Sequence, residues 1–166
     1  MSYQDIPDIS EYDLDKVRFR KGRLFSGMKY YGKNIIIMTP VMNCPFGIEK
    51  YFNNLLVKFR FDQNREGHSE LFSFVRELES KINQVFGRPA FCSQIRLSTK
   101  GDPLLITKIP NPKNAFKIVA SNDSIHTLND VKKNVNLRCV LEINKIWCDE
   151  DKCSYKWLLR KVLFCD

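Results

Sequence analysis

The stretch from Asn34 to Phe61, NIIIMTPVMNCPFGIEKYFNNLLVKFRF, decides how the rest of the chain is read, because two strand-like runs flank a tight, aromatic turn there. Asn34-Ile35-Ile36-Ile37-Met38-Thr39 is a continuous β-branched and apolar block, the pattern of a strand covered on both faces. Leu55 to Phe61 alternates instead. Leu55, Val57, Phe59 and Phe61 share one face of a pleated strand, and Leu56, Lys58 and Arg60 share the other. One face belongs to a core and the other is largely cationic. Between the runs, Pro40 and Pro45 withhold donors from a ladder and Gly47 frees the backbone beside Phe46, so the connection is a shaped loop.

Working outward, Lys16-Val17-Arg18-Phe19-Arg20 alternates as an edge or barrel strand does, and Lys29-Tyr30-Tyr31-Gly32-Lys33 sets two aromatics between two lysines. After the turn at Asp62-Gln63-Asn64, apolar residues Leu71, Phe74, Val75, Leu78, Ile82, Val85 and Phe86 recur at helical intervals. The spacing predicts one helix, N-capped by Ser69 and stopped at Gly87, with Glu77 and Glu79 facing outward beside Arg76 and Lys81. Strand texture returns at Ser93–Thr99, Leu104–Ile109 and Phe116–Ala120. Two longer strands follow, Val135–Trp147 and Ser154–Phe164, with a tip at Asp149-Glu150-Asp151-Lys152. Short strands around a single helix predict a mainly β fold, a small closed or partly closed barrel with the helix packed on it. Strict strand–helix alternation is missing, which argues against a doubly wound nucleotide-binding sheet.

The net charge of +8 is unevenly placed. Residues 1–15 carry five acids and no Lys or Arg, which defines an acidic N-terminal arm ahead of a single domain over 16–166. Residues 16–64 carry ten bases and two acids, and residues 91–148 carry nine and four. The excess lies in the strand regions, as on a face that meets a polyanion. No apolar run approaches the ~20 residues of a membrane span and the start lacks a signal-peptide order, so the expected location is intracellular. Six cysteines without a CxxC pair or a Cys/His quartet are expected to be reduced thiols; a metal held by Cys148 and Cys153 is the lesser alternative.

Enzyme signatures are missing. There is no glycine-rich phosphate loop, GxSxG elbow or HExxH, and His68 and His126 stand alone in turn-like contexts. No catalysis and no cofactor are expected. The pattern that remains is cations interleaved with rings, which suits single-stranded nucleic acid: bases stack on aromatics while Lys and Arg follow the phosphates. The residues expected to do this are Lys29, Tyr30, Tyr31, Lys33, Phe46, Lys58, Arg60, Lys145, Trp147, Lys156, Trp157 and Arg160. Core packing competes with stacking for Trp147 and Trp157, which sit in Leu/Ile/Val-rich runs, and loop anchoring competes for Phe46.

Four segments, TPVMNCPFGIEKY, LFSFVRELESKI, LRCVLEINKIW and SYKWLLRKV, resemble single-stranded DNA-binding proteins of large nucleocytoplasmic DNA viruses such as African swine fever virus. The resemblance spans about residues 30–165 and implies an oligonucleotide/oligosaccharide-binding (OB) barrel that coats unwound viral DNA during replication or repair, in the host cytoplasm. Replication proteins would then be partners. The chain departs from that pattern in its acids, which are N-terminal; no acidic tail follows Asp166, so either partner recruitment lies elsewhere or the sequence is the core of a longer chain. Single-stranded RNA and a protein-docking role for the PFGIEKYF loop are the alternatives. Oligomeric state is not legible.

Overall fold

The computed structural model describes residues 5–110, 117–120, 128–143 and 145–164. Lys113, His126 and Cys165 lie outside these residues, as does the start of the strand expected at Phe116–Ala120. Alternation sets the strands. In Asn54–Arg60 (β6), Val57 and Phe59 are fully buried and the residues between them are half-covered, as the sequence requires. Ile35–Met38 (β3) also alternates: Ile35 and Ile37 are in the core while Ile36 and Met38 are partly exposed, so only one face is fully covered. After a break at Thr39–Val41 the chain resumes as Met42–Cys44 (β4).

The expected long strands are broken where their pattern changes partners. Val135–Ile143 (β11) and Ile146–Cys148 (β12) replace one strand, and Lys152–Tyr155 (β13) and Trp157–Phe164 (β14) replace the other. Around the main sheet, β11 pairs with β3 and β4, β4 with β6, β6 with Pro103–Lys108 (β9), β9 with β14, and β14 with β11. The ring therefore closes, every step antiparallel except β9 with β14. This is a five-stranded OB-type barrel, with β3/β4, β6, β9, β11 and β14 as its strands in chain order. Ile48–Tyr51 (β5) forms a hairpin with β6, Ile95–Leu97 (β8) lies beside β9, and Lys117–Ala120 (β10) lies parallel to β14. Val17–Arg20 (β1) and Gly27–Tyr30 (β2) make a separate hairpin; Ala90–Cys92 (β7) joins the β12–β13 hairpin.

The helix His68–Phe86 (α1) closes one side of the core with Leu71, Phe74, Val75, Leu78 and Ile82. It begins one residue before the expected cap. Gly67, at φ 80°, holds the cap position without a side-chain bond, and Ser69 lies inside the first turn. The start is fixed by His68, a buried residue. Its Nδ1 accepts from the Asp62 N–H at 2.9 Å, and its Nε2 lies 2.8 Å from the Val41 carbonyl oxygen. Gly87 ends the helix in the left-handed region, as expected.

Glu79 does not face solvent. It is 4% exposed and accepts hydrogen bonds from the Tyr155 hydroxyl (2.6 Å), the Gln94 N–H (2.9 Å) and the Ser93 hydroxyl (2.5 Å). The acidic segment is also anchored. Tyr12 sits between Tyr30 and Phe74 and donates its hydroxyl to the Ile36 carbonyl at 2.6 Å, and Asp15 meets Lys81 at 2.7 Å. Among the described residues no helix is long and apolar enough to cross a membrane.

Replacing Glu79 by Ala is expected to lower the unfolding free energy by about 3–5 kcal/mol, since it leaves two buried donors and one half-buried donor without their charged acceptor. Glu77→Ala, on the exposed face of the same helix, should stay within about 0.5 kcal/mol. Urea unfolding of the two variants tests the contrast, and equal small losses would show that the Glu79 carboxylate is in water.

Candidate nucleic-acid interface

Residues directly opposite in a ladder project from the same face of the sheet. The register opposes Lys58 to Ile106, Arg60 to Leu104 and Leu56 to Lys108, then Lys108 to Leu158 and Arg96 to Leu104. The outer face of β6, β9, β8 and the start of β14 thus carries Lys58, Arg60, Arg96 and Lys108. Lys156, half-buried at the entrance to β14, joins them. Desolvation first, then the neighbouring Arg96 and Lys108 charges, hold its pKa below the ordinary 10.5. Among the described residues no carboxylate pairs with Arg96, Lys108 or Lys156. Cations that repel one another at a folded surface gain from any anion that neutralises them.

Two of the expected cations are already neutralised. Lys58 meets Glu49 at 3.3 Å, and Arg160 donates to Glu142 through Nε (2.9 Å) and Nη2 (2.6 Å). Arg160 is the extra residue where the β11–β14 register shifts, and a bulge of this kind re-aims a side chain, here toward Glu142. Glu142 Oε2 accepts from Asn34 at 3.4 Å, and Asn34 in turn accepts from Lys29. The β2–β3 hairpin is thereby tied to the barrel's outer face.

The aromatic residues divide by exposure. Trp157 is fully buried and donates its Nε1–H to the Tyr155 hydroxyl at 3.1 Å, so it is a core residue and leaves the set of stacking candidates. Tyr30 is half-buried: it packs on Tyr12 at 4.8 Å, and its hydroxyl accepts from the Asp13 N–H. Tyr31, 70% exposed, and the exposed Lys33 form the tip of that hairpin. Trp147 is exposed on one face of β12, while Lys145 lies 4.6 Å above the half-exposed Phe25. Phe46 is held in the β4–β5 turn. Gly47 beside it, at φ 64°, packs so closely on the Val131 carbonyl that a Cβ would stand 3.0 Å away. Phe46, Arg60, Lys100, Asp102, Leu104 and Asn134 line a cleft of about 230 Å³ on the same outer face, with Lys58 5.7 Å from the Phe46 ring.

Sequence reasoning left four residues out of the expected site. Arg96 lies in a segment read only as a strand, and Lys108 reads as a solvated lysine unless it shares the face of Arg60, as the register places it. Tyr51 and Phe52, at the β5–β6 tip, are exposed by 62% and 79% with their rings 4.7 Å apart, the same T-shaped arrangement that Tyr30 and Tyr31 adopt. In each pair the second residue has a positive φ, 49° at Tyr31 and 52° at Phe52. The signal was available: an aromatic pair followed by Gly or Asn is a turn with its rings outward. A second cavity, about 570 Å³, lies between Thr39–Val41 and the start of α1, but it mixes Arg65 and Arg138 with Asp8, Glu66 and Glu70 and is no polyanion groove.

Fold and face together define an OB-type barrel whose β6–β9 surface carries a cluster of cations beside the exposed aromatics Phe46, Tyr51 and Phe52. That surface is the one on which OB folds receive oligomers. Two solved structures share the fold. The crystal structure of gp2.5, a single-stranded DNA-binding protein encoded by bacteriophage T7, has a TM-score of 0.56 at 8% identity over 79% of this chain and 86% of its own. The single-stranded DNA-binding protein from bacteriophage Enc34 has a TM-score of 0.56 at 10% identity over 90% and 89%. No protein-family model and no curated protein sequence matches the chain.

Lys156 gives the face a pH signature. Because folding lowers its pKa, the unfolded chain binds more protons in the interval just below 10.5, and wild-type stability should rise with pH through that interval. Lys156→Met should therefore melt higher than wild type near neutral pH, with the gap narrowing as the pH approaches 10.5. A pH-independent gap would mean that the lysine is fully solvated.

Proposed function

We propose that this protein binds single-stranded DNA without catalysis and with little regard to base sequence. The observation that carries the reading is the unneutralised cluster of Arg96, Lys108 and Lys156, continuous with Arg60 on the outer barrel face and flanked by the exposed rings of Phe46 and the Tyr51–Phe52 tip. Phosphates would lie on the cations and splayed bases on the rings. The likeness of fold to two phage single-stranded DNA-binding proteins supports it. Together with the sequence resemblance to viral single-strand binders, this leads us to a role in coating unwound DNA during viral replication or repair in the host cytoplasm, beside replication proteins. Single-stranded RNA would be accepted to the extent that no group tests for a 2′-hydroxyl.

Anisotropy titrations of labelled poly-dT, poly-rU and a duplex of equal length test the reading. Poly-dT should bind most tightly and the duplex weakly, because paired bases cannot reach the rings. With roughly four to six phosphates engaged, the log–log salt slope should be near −3 to −4, at ~0.7 per contact. Tyr31→Ala and Phe52→Ala should each weaken binding by about 1–3 kcal/mol if their rings stack, with unchanged melting temperature. Glu49→Gln and Glu142→Gln should tighten binding, since they free Lys58 and Arg160 for phosphate. No binding to any of the three ligands would defeat the proposal.

A second reading is favoured by the exposed side chains Phe46, Tyr51 and Phe52: a docking surface for a replication or transcription protein, centred on the PFGIEKYF segment. Such an interface would be nearly indifferent to salt, whereas polyanion binding falls steeply.

A further inference from the structure

Cys148 and Cys153 stand opposite one another across the β12–β13 hairpin, and their Sγ atoms are 2.7 Å apart. Two thiols that merely pack do not approach so closely, and a covalent S–S bond measures about 2.05 Å. The register explains the approach. The Asp149 N–H donates to the Lys152 carbonyl at 2.9 Å, and Ile146 exchanges its backbone bonds with Ser26 outside the hairpin. Bonded and non-bonded rungs alternate in an antiparallel ladder, so the rung at 148 and 153 is non-bonded, with an expected Cα separation of about 4.5 Å. That lies within the ~4.4–6.8 Å that disulfides span. No backbone movement is needed to join the two sulfurs.

We propose that Cys148 and Cys153 are a reversible disulfide site, closed by a peroxide that reaches the half-buried Cys148 sulfur. Cys148 attacks one peroxide oxygen and the O–O bond breaks, leaving a sulfenic acid and releasing the first water. The Cys153 sulfur then attacks the Cys148 sulfur, the S–O bond breaks, and the hydroxyl departs with the Cys153 proton as a second water. Two thiols are oxidised and one hydrogen peroxide is reduced to two waters.

The order of events follows from the surroundings. Cys153 is fully buried, and burial together with the adjacent Cys148 pushes its thiol up to about 12, so it resolves the sulfenic acid and does not meet the oxidant first. Cys92 is the competitor to exclude. In the parallel β7–β13 register Cys153 is opposite Phe91 and Ser154 is opposite Cys92, which puts Cys92 on the other face of the hairpin, with Ser154 and Trp147. The bond would staple the hairpin that presents Lys145 and Trp147, and a dithiol reductant would reopen it.

The test uses the full chain. It is treated with a small excess of hydrogen peroxide, alkylated and digested with trypsin, which cuts after Lys145, Lys152 and Lys156 and so puts the two cysteines on separate peptides. Before alkylation the intact mass should fall by about 2 Da, the two hydrogens lost on forming the bond. The digest should contain Ile146–Lys152 linked to Cys153–Lys156, and dithiothreitol should separate them. Cys148→Ser and Cys153→Ser should abolish the linked pair; Cys92→Ser should retain it. Oxygen addition at Cys148 without a crosslink, a bond to Cys92, or a disulfide between two chains would overturn the proposal.

Discussion

The Glu79 carboxylate gathers hydrogen bonds from three directions: the Ser93 hydroxyl, the Gln94 backbone N–H and the Tyr155 hydroxyl. The donors come from two separate parts of the fold. Ser93 and Gln94 lie in the turn between β7 and β8, and Tyr155 ends the hairpin that leads into β14. Tyr155 also accepts the Trp157 indole N–H, so the same network reaches the first residue of the strand that closes the barrel against β9. Apolar contacts could hold a helix on a barrel at many rotations, because burial is non-directional. A buried acceptor with three fixed donors selects one of them. The loss of any member leaves a polar group dry, which is the condition under which such networks specify structure.

From that fixed interior the outer face inherits its tension. The pleat that sends Val57 and Phe59 inward must send Lys58 and Arg60 outward, and the β9 register sets Lys108 and, through β8, Arg96 beside them. Glu49 and Glu142 relieve part of this repulsion at the edges, against Lys58 and Arg160. The centre is left unrelieved. Burial, and after it the neighbouring Arg96 and Lys108 charges, lowers the proton affinity of Lys156, so this cluster is poorer for stability than a mixed surface and gains from any anion that restores the balance.

Most of the barrel was legible because strand period and turn chemistry are local. The alternation of Leu55 to Phe61 gave the inward and outward sets of β6, and the helical spacing from Leu71 to Phe86 gave α1 to within two residues at its start. Glu79 was misread because charge was weighed before position: it follows Val75 by four residues and precedes Ile82 by three, which puts it inside the apolar stripe. The long strands at 135–147 and 154–164 were broken by tertiary events that periodicity cannot register, the pairing of Ile146 with Ser26 and the entry of β13 into a sheet with β7. Of the expected site, Lys58, Arg60, Phe46 and Lys156 lie on the outer face, and Lys29, Tyr31 and Lys33 lie on a hairpin linked to it. Trp157 was lost because a Trp in an alternating strand reveals its face only once a neighbour's register is known.

Tyr31 and Phe52 argue for themselves in a different way. Each is a large ring, mostly in water, on a backbone with φ near 50°, where glycine or asparagine would be less strained. A bulky residue in that region costs of order 1–3 kcal/mol, and an exposed ring returns little of it by burial. Each leans edge-on against the preceding aromatic, at 4.7 Å, which fixes the ring's direction without covering its face. Folding alone therefore gives no reason for a ring at either tip. Under the proposed single-strand reading a stacking partner would supply one, because a flat face held open at the end of a stiff hairpin loses little side-chain freedom on meeting a base.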